Sequence, residues 1–211
     1  MAAKARQQER RGQPSHREDL RRELLDAAVS FVEREGHEGL SIRKLAEQVG
    51  VSPGAPYHHF PDRRALLTSV ALEGYAVMFR QTQMPAADDD QRNVHSSQEA
   101  LFHTFLNFIR FAGENPHMFT LMYESELVRP TLSPELADAQ EIGFQLLRRE
   151  VECIAGHLDE RERAVRMATI WSAIFGYALQ SNRAMLRAYP LEPAPDELAP
   201  EIVRQALRLL K

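Results

Sequence analysis

Apolar residues recur at three- and four-residue intervals along almost the whole chain, and no run alternates apolar with polar in the β-branched manner of a strand. The fold this predicts is all-α. Ser15-His16-Arg17-Glu18 has the form of a capping box, and the stripe Leu20, Leu24, Ala27, Ala28, Phe31 and Val32 follows it to a stop at Gly36, which sets a first helix over 16–35. Ser41 opens a short second helix over 42–48 that ends at Gly50, and Ser52-Pro53 opens a third over 53–59. Pro61-Asp62 starts a fourth, carrying Ala65, Leu66, Val70, Leu72, Ala76, Val77 and Phe79 to about Met84.

Residues 85–97 are polar and unpatterned and read as a flexible connection. Apolar helices are expected beyond it near 98–113, 117–128, 134–157, 160–188 and 196–210. Their separators are Gly113 to Pro116, Arg129-Pro130, a break near Gly156, and a run with Pro190, Pro193 and Pro195. Three regions follow: a basic arm 1–15, a small helical domain 16–68, and a larger helical body 69–211.

Charge sharpens this division. The 211 residues carry a formal charge of −4, which by itself argues against a nucleic-acid partner. The distribution argues otherwise. Residues 1–68 hold 12 basic and 10 acidic side chains, with the excess in the first 22, while the rest hold 14 basic and 20 acidic. A basic head on an acidic body suits an anionic partner that only the head meets.

The two short helices over 41–49 and 52–59 have the spacing of a helix-turn-helix, in which the first braces the second in the DNA major groove. Arg43 can reach a guanine edge or a phosphate, with Lys44 as a further backbone contact. Tyr57 and His58 offer a hydroxyl and an imidazole. Ser52 and Pro53 start the third helix so that the amides of Gly54 and Ala55 are left for a phosphate, and the small side chains allow close entry. Pro56 removes an amide donor near the end of the first turn, so that helix is expected to be short or distorted. His59 and Phe60 are read as packing residues. The run 40–67, with L-A-x-x-x-G-V-S and Y-x-H-F-x-x-R-x-x-L, closely resembles the DNA-binding domain of the tetracycline-repressor (TetR) family of bacterial regulators. The resemblance implies DNA contacts at Arg43, Tyr57, His58 and Arg63.

In the body, Phe102, Phe105, Met118, Met122, Tyr123, Phe144, Trp171 and Phe175 are candidates for a deformable apolar ligand cavity, with ordinary core packing as the alternative for each. The family resemblance implies an inducer cavity in this region. Trp171 to Gly176 resembles the Trp-His-Gly motif of one TetR ligand-domain subfamily, with Phe175 where that subfamily has His. The stripe Ile202, Val203, Ala206, Leu207 and Leu210 needs an apolar partner surface, and the resemblance implies a homodimer through helices near 160–188 and 196–210.

Other chemistry is poorly represented. One cysteine, Cys153, excludes an internal disulfide and a multi-cysteine metal site, and suits a reducing cytoplasm. His95, His103 and His117 lack metal-site spacing, and neither a nucleotide loop nor a catalytic motif is present, so no metal, cofactor or enzymatic activity is implied. No apolar run is long enough for a membrane span, and 1–18 lacks the apolar middle of a signal peptide. The expectation is a cytoplasmic, homodimeric repressor that a small molecule releases from a palindromic operator. An all-α binding protein or enzyme with a vestigial helix-turn-helix, and an activator, stay open on sequence.

Overall fold

The structure, a computed structural model, describes residues 16–82, 93–129, 131, 133–188 and 195–211. It consists of α1 (His16–Glu35), α2 (Ile42–Val49), α3 (Arg63–Thr82), α4 (Val94–Glu114), α5 (Pro116–Glu124), α6 (Pro134–Ala155), α7 (Glu160–Asn182) and α8 (Pro195–Leu207), with short 3-10 turns at Ala55–His58, Met185–Ala188 and Arg208–Leu210. Among the described residues there is no strand. The arm 1–15, the cap at Ser15, and Pro190 and Pro193 lie outside the described residues.

The N-terminal unit is a three-helix cluster. Leu24, Ala28 and Val32 of α1, Leu45 and Ala46 of α2, and Leu66, Leu67 and Val70 of α3 are all essentially inaccessible to solvent. Gly50 ends α2 in the left-handed region at φ +79°, and its amide donates back to the carbonyls of Ala46 and Glu47, so the turn to the next element needs glycine. Asp62 caps α3 by accepting from the amide of Ala65 at 2.8 Å.

α3 is continuous through residue 68 and spans about 30 Å at 1.5 Å per residue. Its first half belongs to the N-terminal core and its second half to the body. In the body α4 is central and packs on α3, α5, α6, α7 and α8. α5 also packs on α1 and α3 and is pinned there, because His117 Nδ1 donates to the carbonyl of Glu33 at 3.0 Å.

Several boundaries differ from the sequence reading: α5 stops at Glu124 rather than 128, and α7 at Asn182 rather than 188, with a separate 3-10 turn at Met185–Ala188. Helix α4 begins at Val94 rather than 98, because Asn93 and Ser96 form a reciprocal capping box that turns polar residues into a helix start. The expected third helix over 53–59 is a single 3-10 turn, Ala55–His58, as the proline at position 56 foreshadows.

The stripe on α8 is satisfied within its own subunit. Val203, Ala206 and Leu210 are buried against the body, so they are not the free surface that the sequence suggests. Exposed apolar and small residues run instead along α7, at Val165, Thr169, Ser172 and Ala173.

Candidate functional site

The helix-turn-helix presents a compact polar surface. Arg43 and Lys44 are exposed on α2 because Ile42, Leu45 and Ala46 take the inward positions. Ser52, Pro53 and Gly54 are exposed in the turn; Ala55 is half-buried. Tyr57 is 52% exposed, a large value for a ring of that size, and His58 is exposed beside it. The turn is held from below by Pro56, which is buried, and by Phe60, which is 2% exposed with the Arg21 guanidinium 5.3 Å over its ring.

Two expectations change here. The amide of Ala55 donates to the carbonyl of Ser52 at 3.0 Å, so it is spent within the turn, and a four-residue 3-10 turn carries no helix dipole of consequence. Arg63, expected at DNA, turns inward: Nε donates to the carbonyl of Leu40 at 2.9 Å, and Nη2 to the carbonyls of His37 at 2.5 Å and Glu38 at 3.0 Å. It satisfies the loop between α1 and α2. Its neighbour Arg64 is exposed, and sequence reasoning passed it over although it stands in the same basic pair.

The body holds a cavity of about 260 Å³ between α3, α4, α5, α6 and α7. Phe105, Tyr123, Phe144, Trp171 and Phe175 line it as the sequence suggested. Phe102, Met118 and Met122 do not. Phe102 lies under the guanidinium of Arg204 at 5.2 Å, on the α8 side of α4. Met118 and Met122 press on α3 at Gly74, where an added Cβ would come within 2.8 Å and 2.6 Å of their sulfurs. The absence of a side chain at Gly74 is what lets α5 approach α3 so closely.

The lining that sequence reasoning missed comes from α3, at Tyr75, Met78 and Phe79, from α6, at Gln140, Gly143 and Leu147, and from Thr104 of α4; Phe108, on the aromatic stripe of α4, also lines the space. Gln140 Nε2 donates to the Tyr75 hydroxyl at 2.8 Å. Burial pushes both the Tyr75 and the Tyr123 phenols above the ordinary tyrosine value, Tyr123 well above it. Both hydroxyls therefore stay protonated at neutral pH.

An N-terminal helix-turn-helix joined through one shared helix to an all-helical body with an internal cavity is the architecture of a one-component DNA-binding regulator. Comparison with known proteins agrees. Residues 24–70 match the family described as bacterial regulatory proteins, tetR family, and residues 101–206, half of the chain, match the tetracyclin repressor-like C-terminal domain. The chain belongs to the tetracycline-repressor family. The tetracycline repressor protein class D of Escherichia coli is 25% identical over 191 residues, covering 90% of this chain and 79% of the relative. The transcriptional repressor AcnR of Corynebacterium diphtheriae is 41% identical over 58 residues, which cover 28% of this chain and 30% of AcnR. Among solved structures, a Rhodococcus protein of unknown function has a TM-score of 0.69 at 25% identity, covering 94% of this chain and 97% of that one. MexZ, a Pseudomonas aeruginosa repressor, shares the fold with a TM-score of 0.60 at 19% identity, over 92% of this chain and 95% of its own. No helix among the described residues is long and apolar enough to cross a membrane.

Proposed function

We propose that this chain is a homodimeric transcriptional repressor that binds a roughly palindromic operator and leaves it when a small molecule enters the cavity. The observation that carries this reading is the span of α3: Leu66 and Leu67 belong to the core beneath the helix-turn-helix, and Tyr75, Met78 and Phe79 of the same helix line the cavity. A ligand changes operator affinity by as much as it prefers one arrangement of that helix over the other.

Residues 16–68 act as the DNA-binding domain and 69–211 as the ligand-binding and dimerisation domain, with 1–15 as an accessory basic arm. Arg43, Lys44, Ser52, Pro53, Gly54, Tyr57 and His58 meet the DNA, with Ala55 near the groove floor, and Arg64 replaces Arg63 as a phosphate contact. The exposed face of α7, with Val165, Thr169, Ser172 and Ala173, docks on its two-fold mate; its small side chains permit close helix approach. The likeness of Trp171 to Gly176 to the Trp-His-Gly subfamily is supported by Trp171 and Phe175 both lining the cavity. A regulator of this kind works in the bacterial cytoplasm, where its operator is.

Selection of bound sequences from random DNA, followed by footprinting on the enriched site, tests the reading. A two-fold symmetric footprint whose affinity falls steeply with salt is expected. Absence of enrichment with folded, dimeric protein refutes it.

A further inference from the structure

The cavity has a composition that restricts what can enter it. The chain has sixteen Phe, Tyr and Trp residues, and eight of them line this one space. Phe108 and Trp171 stand with ring centroids 4.9 Å apart, Tyr123 and Phe175 5.6 Å apart, and Phe144 lies edge-on to Trp171 at 6.2 Å. No Asp, Glu, Lys, Arg or His is among the lining residues. An ion held against these walls would leave its hydration without a partner, so this space disfavours charge; Arg148, Glu152, Glu160 and Arg163 line an adjoining pocket that shares Phe144, Leu147 and Trp171 with it.

The polar groups present form two separate pairs, one of them weak. Gln140 donates to the Tyr75 hydroxyl at 2.8 Å, and the Tyr123 hydroxyl donates to Met78 Sδ at 3.6 Å. Each phenol has one hydrogen to give, and a thioether is a poor acceptor. An oxygen placed near Met78 would take the Tyr123 hydrogen in preference to the sulfur. Size follows from volume: a 150 Å³ apolar cavity holds benzene, so about 260 Å³ holds roughly ten non-hydrogen atoms.

We propose that the cavity takes an uncharged, planar, two-ring aromatic molecule bearing one oxygen that accepts from the Tyr123 hydroxyl. This rests on the ligand-responsive reading above and gives it a chemical class. Aromatic walls favour a flat face through offset and edge contacts, which a flexible alkyl chain cannot make without losing rotameric freedom.

The test uses full-length protein and four probes in calorimetry: 2-naphthol, naphthalene, 2-naphthoate and 1-decanol. Trp171, the single tryptophan, reports entry into the cavity through its emission. 2-Naphthol is expected to bind about five- to tenfold more tightly than naphthalene, the worth of one hydrogen bond, and about a hundredfold more tightly than the carboxylate. Tyr123→Phe should bring the 2-naphthol to naphthalene ratio to about one, and, should that variant not fold, Met78→Leu, which removes the competing sulfur, should raise the ratio above that of the parent. Equal binding of 2-naphthoate overturns the selection against charge, equal binding of 1-decanol overturns planarity, and saturation by none of the neutral probes overturns the assignment. A gel shift with the same probe separates the two readings. Binding of 2-naphthol that leaves operator retention unchanged refutes release through this cavity while the ligand class stands.

Discussion

Arg63 at the start of α3 donates through Nε to the carbonyl of Leu40 at 2.9 Å, tying the loop before α2 to the helix that carries the cavity lining. The sequence presents Arg63 as one of several basic residues near DNA, whereas its hydrogen bonds make it a brace. Arg63→Ala should cost about 2 kcal/mol, since hydrogen bonds from a charged donor are among the stronger ones, and lower Tm by roughly 4–8 °C. Calorimetry gives the stability. The slope of log affinity against log salt should stay as in the parent, and a slope reduced to the same degree as for a phosphate contact would return Arg63 to the interface.

Arg43 should behave in the opposite way. Arg43→Ala leaves Tm unchanged because its side chain is exposed, and it reduces the salt slope by about one per subunit. Combined with Tyr57→Ala it should abolish retention in a gel shift at matched helicity. A double variant that still retains the operator would remove both residues from the site.

Two glycines of the turn separate backbone from surface effects. Gly50 has open space around it but φ of +79°, so Gly50→Ala should cost about 1 kcal/mol through strain alone. Gly54 also has nothing within 4 Å and an ordinary φ of −86°. Gly54→Ala should keep full thermal stability and weaken operator binding, because the added methyl meets DNA and not protein. Equal operator affinity in Gly54→Ala and the parent would mean that residue 54 does not approach the groove.

The buried phenols predict an alkaline limit. Below the ordinary tyrosine value of 10.0, both states keep Tyr75 and Tyr123 protonated and stability has no slope from them. Above it the unfolded chain releases these protons while the folded protein holds them, so stability falls as pH rises until the folded values are reached. Denaturant midpoints measured from pH 8 to 11 should decline above about pH 10, and Tyr123→Phe should make the decline shallower.

Ala173 lies on the exposed face of α7. Ala173→Arg should shift the protein from dimer to monomer in sedimentation while Trp171 emission and helicity stay as before, since the change touches no core residue. A variant that remains dimeric moves the interface elsewhere.

The helical pattern and most helix positions were legible because burial of one face imposes a 3.6-residue period regardless of partner. The start of α4 was not, because the period is silent where Asn93 and Ser96 supply the signal through capping. The candidate site divides on the same ground. Exposure of Arg43, Tyr57 and His58 follows from which neighbours are apolar, but the inward turn of Arg63 depends on three carbonyls more than twenty residues away. For the cavity, an aromatic stripe identifies a buried face without saying what it faces. Phe105 and Phe102 are one helical turn apart, yet one meets the cavity and the other meets α8. Thr104 and Gln140, polar residues on apolar faces, were the available sign of a ligand site.

The four-residue 3-10 turn at Ala55–His58 rises about 2 Å per residue, roughly 8 Å in all, against base pairs stacked about 3.4 Å apart. In the proposed repressor each subunit's turn therefore spans some two or three base pairs, beside the reach of Arg43 and Lys44 on α2. With so few letters read from the turn itself, operator choice would rest heavily on the distance between the two half-sites and on how readily the intervening DNA adopts the required shape.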